Sequence, residues 1–186
     1  MRRTIDILIA SFLLILLVIP MTFLIIVIRL ESPGPALFWS KRVGINSIFF
    51  MMPKFRTMNE GTEAVATHLL DNPSSHLTRI GEFLRRTSID ELPQLLSILR
   101  GHMTFVGPRP ALFNQNDLIE LRKKNRVDIL IPGVTGWAQV NGRDNISIKE
   151  KVNFDIEYLN KKSIKFDIYF IFLTFLKVIR KEGISH

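Results

Sequence analysis

The 186-residue sequence predicts an α-rich α+β protein attached to a membrane. Three observations carry this. Apolar residues run almost unbroken to Ile28 from Ile5-Asp6-Ile7, two strand-like segments flank a Gly44-Ile45-Asn46-Ser47 turn, and later segments repeat apolar residues at helical spacing. Hydrophobic residues make up 47% of the chain, with the excess at its two ends. The formal charge of +8 implies an anionic partner: a lipid surface, phosphorylated substrates or nucleic acid. Nucleic acid is disfavoured, because aromatic residues are not interleaved with the basic ones. With no cysteine, disulfides, thiol nucleophiles and thiolate metal sites are excluded, and the four histidines lack metal-ligand spacing.

The first element is relieved only by Ser11, Pro20 and Thr22, and it lacks a small-x-small cleavage site, so it reads as a retained membrane segment. Pro20 lies well inside and removes a backbone hydrogen bond, which kinks the helix. Basic residues flank both ends, with Arg2 and Arg3 before and Arg29, Lys41 and Arg42 after, so the positive-inside rule sets no orientation. A kinked single span and a helix that enters and leaves by one face both satisfy this pattern.

Ser32-Pro33-Gly34-Pro35 ends that element. Residues 37–42 and 48–55 then form a hairpin, whose second strand ends in Lys54-Phe55-Arg56-Thr57-Met58. A short helix over 63–70 lies in a polar stretch. Residues 78–86 are helical, with Ile80, Phe83 and Leu84 on one face. Ser88 with Glu91 three residues on fits a capping box, and Leu92, Leu95, Leu96 and Leu99 continue at helical spacing. Asp90 and Glu91 thus fall in a first helical turn, where a cap or favourable dipole contact is the plain explanation.

Phe105-Val106-Gly107-Pro108-Arg109-Pro110 is a loop stiffened by prolines on both sides of Arg109. A helix over 111–125 ends in the basic run Arg122 to Arg126, which either complements the helix dipole or meets anionic lipid headgroups. Residues 132–144 carry three glycines and Arg143, a pattern suited to an oxyanion or phosphate cradle but matching neither Walker nor Rossmann spacing. Ser147 and Glu150 form a second capping box, opening a helix through Tyr158 with Val152, Ile156 and Leu159 on its apolar side. The last helix, 164–179, is short for a span and bordered by Lys161, Lys162, Arg180 and Lys181, so it suits the membrane interface. Asp167 within it sits either at the N-terminal rim or facing a cationic centre.

Four blocks in order carry a resemblance: 54–58, 88–95, 105–110 and 132–143. Over nearly its whole length the chain resembles the monotopic phosphoglycosyl transferases, the bacterial sugar transferase family, in its small form. The resemblance implies transfer of a phospho-sugar from a UDP-sugar donor to a polyprenyl (undecaprenyl) phosphate acceptor, with release of UMP, through a covalent aspartyl intermediate. It aligns Asp90 with the nucleophile and Glu91 with its partner acid near Mg²⁺, and makes Asp167 the second candidate ligand. Lys54, Arg56, Arg109 and Arg143 are the candidate phosphate contacts. It also implies a re-entrant helix over 1–30 turned at Pro20, although Ile19 stands where serine is usual, and a cytoplasmic catalytic domain over 31–186 with an interfacial helix at 164–181. The expected setting is the bacterial inner membrane, with the active site facing the cytoplasm and anionic lipids around the interfacial helices. A basic membrane-anchored scaffold without catalysis is the alternative, and the oligomeric state is not encoded in these blocks.

Overall fold

The computed structural model describes residues 2–62, 73–142 and 146–180. The segment 63–70, expected to hold a short helix, lies outside them, as does Arg143. Helix α1 spans Arg2–Glu31 and continues through Pro20. Its apolar composition makes it long enough, at 30 residues or about 45 Å, to cross a bilayer. Thr22 donates its hydroxyl to the Val18 carbonyl at 2.7 Å, just beyond the proline.

One side of α1 lies along the body of the protein. Ala10 is fully buried against Phe50, Met52, Leu95, Ile98 and Met103, with Leu13, Leu14 and Leu17 packed beside it. Further along, Ile28 is buried with Ala36, Phe55 and Leu84. Both ends are also tied down by polar contacts. Arg3 donates to the carbonyls of Ile98 and Leu99, Thr104 donates to Asp6, and at the far end Glu31 accepts from the Ile80 backbone N–H. The opposite side exposes Leu8, Phe12, Ile15, Ile19, Phe23, Ile26 and Leu30, a stripe at helical spacing that no part of the described chain covers.

The hairpin forms as expected, with β1 (Leu37–Val43) antiparallel to β2 (Phe49–Phe55) and Lys54 opposite Phe38. Its turn uses left-handed backbone at Asn46 and Ser47. Helix α2 (Arg79–Arg86) is capped by Thr78, which accepts from the Gly81 N–H. Leu84 is buried and Phe83 is 55% exposed, so Phe83 does not share the buried face assigned to it. A 3-10 turn over Ile89–Gln94 then leads into the short α3 (Leu95–Leu99).

Two three-residue strands, β3 (Thr104–Val106) and β4 (Gly133–Thr135), pair in parallel. Helix α4 (Asn116–Lys124) starts later than the expected residue 111. Residues 111 and 112 are drawn instead to the hairpin: Val43 donates to the Ala111 carbonyl at 3.0 Å, and Arg42 bridges to Leu112. After β4 come α5 (Trp137–Val140), α6 (Ile148–Lys161) and α7 (Ile164–Arg180). The Ser147–Glu150 capping box at α6 is present in full. A second core gathers Val106, Val127, Leu130, Val140, Tyr158 and Phe170 between α6, α7 and β3.

Candidate active site

The capping box expected at Ser88 does not form. Ser88 adopts φ 56°, ψ 17°, left-handed backbone for a non-glycine residue, and its side chain caps nothing. That conformation costs on the order of 1 kcal/mol and throws the chain into a 3-10 turn instead of an α-helical first turn. The turn packs on β2, where Lys54 reaches its acids. The Glu91 carboxylate, which a capping box would fold back onto Ser88, instead accepts from Lys54 Nζ at 2.9 Å. Tertiary charge pairing has won over the local motif.

The same Glu91 Oε1 lies 3.4 Å from Arg109 Nη2. Asp90 Oδ2 lies 3.7 Å from Lys54 Nζ, within ion-pair reach but beyond hydrogen-bond distance. Two adjacent carboxylates and two cations therefore meet with both acids and Lys54 largely buried. Low dielectric strengthens each contact there, and an ion left unpaired would be costly. The arrangement offers a carboxylate nucleophile that needs no activating base, beside cations suited to phosphate oxygens.

The structure brings Asp90, Glu91, Lys54 and Arg109 together and places two other candidates elsewhere. Arg56 is buried and donates to the carbonyls of Ser32 and Pro33 and to the Ser32 hydroxyl, which holds the chain leaving α1. Asp167 pairs with Arg2 at 3.0 Å and accepts from the Tyr158 hydroxyl at 2.8 Å. Burial pushes the Asp167 pKa above the ordinary carboxylate value, against the opposing pull of Tyr158 and Arg2. Among the described residues no group of three acids or histidines is gathered for a metal, so Asp167 does not join Asp90 and Glu91. Two carboxylates still suit Mg²⁺, a hard cation that completes its shell with water and substrate phosphates.

Two of the glycines read as a cradle, Gly133 and Gly136, serve close packing. A Cβ on Gly133 would stand 2.1 Å from the Gly107 nitrogen, and one on Gly136 would stand 2.2 Å from the Gly107 oxygen. Their absence of side chains lets the strand pair close. The Gly133 N–H is spent on the Pro108 carbonyl at 2.9 Å, and the Gly107 N–H on Thr135 at 2.8 Å.

Sequence reasoning missed a buried pair behind the loop. Arg122, read as part of a basic surface run, is buried, with Nε and Nη2 3.0 and 2.8 Å from Asp155 Oδ2. Burial pushes the Asp155 pKa up and the Arg122 guanidinium opposes it. A signal existed: Arg122 falls four residues after the buried Leu118, and Asp155 three after the buried Val152, so each interrupts the apolar stripe of its helix.

Comparison with known proteins identifies the family and its relatives. The bacterial sugar transferase family matches residues 1–181. The uncharacterized sugar transferase EpsL of Bacillus subtilis is 38% identical over 185 residues, covering all of this chain and 90% of that protein. The exopolysaccharide production protein ExoY of Rhizobium meliloti is 36% identical, covering 98% of this chain and 87% of the relative. The UDP-glucose:undecaprenyl-phosphate glucose-1-phosphate transferase of Escherichia coli is 39% identical over 95% of this chain, which spans 40% of that longer protein. The match over residues 1–181, with these identities, places the chain in the bacterial sugar transferase family.

Proposed function

We propose that this transferase moves a sugar 1-phosphate from a UDP-sugar to undecaprenyl phosphate, the reaction in the name of the Escherichia coli relative. The observation that carries the reading is the cluster of Asp90 and Glu91 on Lys54 and Arg109. An Asp90 oxygen attacks the phosphorus next to the sugar. The phosphoanhydride bond breaks, its electron pair leaves on UMP, and an acyl phosphate links Asp90 to the phospho-sugar. An oxygen of the lipid phosphate then attacks the same phosphorus, releasing Asp90 as carboxylate and yielding the lipid diphospho-sugar. Ping-pong kinetics follow.

Asp90 and Lys54 are well placed for these roles. Lys54 Nζ lies 3.7 Å from Asp90 and 2.9 Å from Glu91, so one ammonium serves both acids. Lys54 and Arg109 would transfer their contacts to phosphate oxygens, and Arg143 is a further phosphate contact in this reading. Glu91, with Asp90 beside it, would hold Mg²⁺, which when bound offsets the charge of the diphosphate.

The reading places the enzyme in the bacterial inner membrane facing the cytoplasm, where nucleotide sugars are found. Both ends of α1 contact one body, which supports attachment of the helix from one face of the membrane, with Pro20 near its middle. The exposed stripe of α1 and Ile168, Ile171, Phe172 and Phe175 of α7 supply lipid-facing surface.

The test is UMP release by the purified protein in detergent, given Mg²⁺, undecaprenyl phosphate and a panel of UDP-sugars. Multiple-turnover release that depends on at least one sugar and on the lipid phosphate is expected, with at most one UMP per enzyme when the lipid is left out. No release across a broad panel overturns the proposal.

A further inference from the structure

Arg109 is carried on a loop whose carbonyls are almost all held from outside. The Gly133 N–H takes the Pro108 carbonyl, Arg42 Nη1 takes that of Pro110 at 3.2 Å, and the Val43 N–H takes that of Ala111. The carbonyl of Arg109 itself accepts from Arg122 Nη1 at 2.8 Å. Arg122 is fixed in turn by the two contacts of its Nε and Nη2 with Asp155, whose side chain is 2% exposed. One planar guanidinium thus bridges a buried acid on α6 and the backbone of the residue that faces Glu91.

Stability alone does not account for such a device. Buried ion pairs are often matched or bettered by apolar side chains of similar volume. A rigid fork does what an apolar contact cannot: it fixes direction as well as distance, and a lysine ammonium on its flexible stem lacks that fixed geometry. The prolines on either side of Arg109 donate no backbone hydrogen bonds, so the loop depends on outside donors for its placement.

We propose that Arg122 is a positioning residue for the transfer reaction, held by Asp155 so that the Arg109 guanidinium meets the diphosphate in a fixed place. This rests on the reading of Arg109 as a phosphate contact. A shift of about 1 Å in such a group can cost up to roughly a hundredfold in rate.

The experiment compares Arg122→Lys, Asp155→Asn, Arg109→Gln and the double change Arg109→Gln with Arg122→Lys, in full-length enzyme in detergent. Thermal unfolding establishes a temperature at which each is folded, and hydrogen exchange reads the 107–113 segment. In Arg122→Lys, kcat is expected to fall roughly 10- to 100-fold, with donor KM changed less than about threefold. Exchange at 107–113 should rise while α2 is unchanged, and the double variant should be no slower than Arg109→Gln alone. Asp155→Asn should show the same pattern more weakly, and it serves if Arg122→Lys does not fold.

Unchanged exchange at 107–113 overturns the proposal whatever the activity. Faster exchange with unchanged kcat per folded molecule also overturns it, since that is a structural role only. Penalties that multiply in the double variant place Arg122 on another path and overturn it as well. A wild-type rate in Arg109→Gln strikes the reading of Arg109 and the catalytic claim with it, and the exchange data then show separately whether the mount exists.

Discussion

Arg2 in the first helix and Asp167 in the last form a 3.0 Å ion pair, so α1 and α7 are joined by side-chain charge. Asp167 also accepts from Tyr158, whose hydroxyl lies 3.0 Å from the Val106 carbonyl two residues before the prolines of the Arg109 loop. Asp167→Asn keeps both acceptors of Tyr158, whereas Asp167→Ala leaves the Val106 carbonyl alone. The alanine variant should lose about 1 kcal/mol more than the asparagine variant in detergent-phase unfolding. The Mg²⁺ concentration for half-maximal UMP release should be the same in Asp167→Asn as in the wild type, since Arg2 and Tyr158 occupy this carboxylate.

Asp90 and Glu91 separate by chemistry. Asp90→Asn should abolish a trappable phospho-sugar adduct, seen by intact mass, and cut UMP release by about a thousandfold or more. Glu91→Gln should still form adduct slowly, with a raised Mg²⁺ requirement. Adduct in Asp90→Asn would assign the nucleophile to another residue.

Lys54 is the cation shared by both acids. Replacing it with methionine keeps length and apolar stem but leaves buried carboxylate charge less compensated, at a cost of about 3 kcal/mol in folding stability. Donor KM should rise along with a fall in kcat, because the ammonium is lost to substrate and acids alike. Chemical unfolding and initial rates check the two effects independently.

Gly133→Ala should be among the most damaging conservative changes. Its Cβ would meet backbone atoms, which cannot swing aside as a flexible side chain can. A loss of about 3 kcal/mol or more in unfolding free energy is expected, with the Arg109 loop displaced. Normal stability in this variant would show that β3 and β4 tolerate separation.

The capping box at α6 gives a pH signature. Hydrogen bonds from the Ser147 side chain and backbone hold the Glu150 pKa below the ordinary 4.5. A carboxylate with a lowered folded-state pKa stabilises above its unfolded value and loses that contribution as pH falls through the folded one. Wild type should therefore exceed Ser147→Ala in melting temperature at pH 6, and the gap should narrow as pH drops below 4.5. A gap constant down to pH 3 would mean the hydroxyl alone is the cap.

Much of this architecture is legible in the chain because neighbours decide it. The hairpin follows from strand-forming runs around a turn, and α6 from Ser147 and Glu150. The active site is less so, for a physical reason. Ser88 to Glu91 has the letters of a capping box, and only Lys54, 37 residues away, and Arg109, 18 residues away, divert Glu91 from it. The glycines of 133 and 136 look like phosphate ligands until a second backbone is set against them. Three-residue strands such as β3 and β4 carry too little periodicity to announce their pairing.

The contacts at the start of α1 also bear on how the chain is made. Arg3 and Asp6 find partners 95 to 98 residues later, and Arg2 finds its partner only at Asp167. Helix α1 is thus made well before its polar partners, while its apolar surface is exposed from the outset. Synthesis at a bilayer gives that surface a holding place until α7 exists. Expressed away from membranes, the same helix becomes an aggregation hazard before the catalytic residues have met.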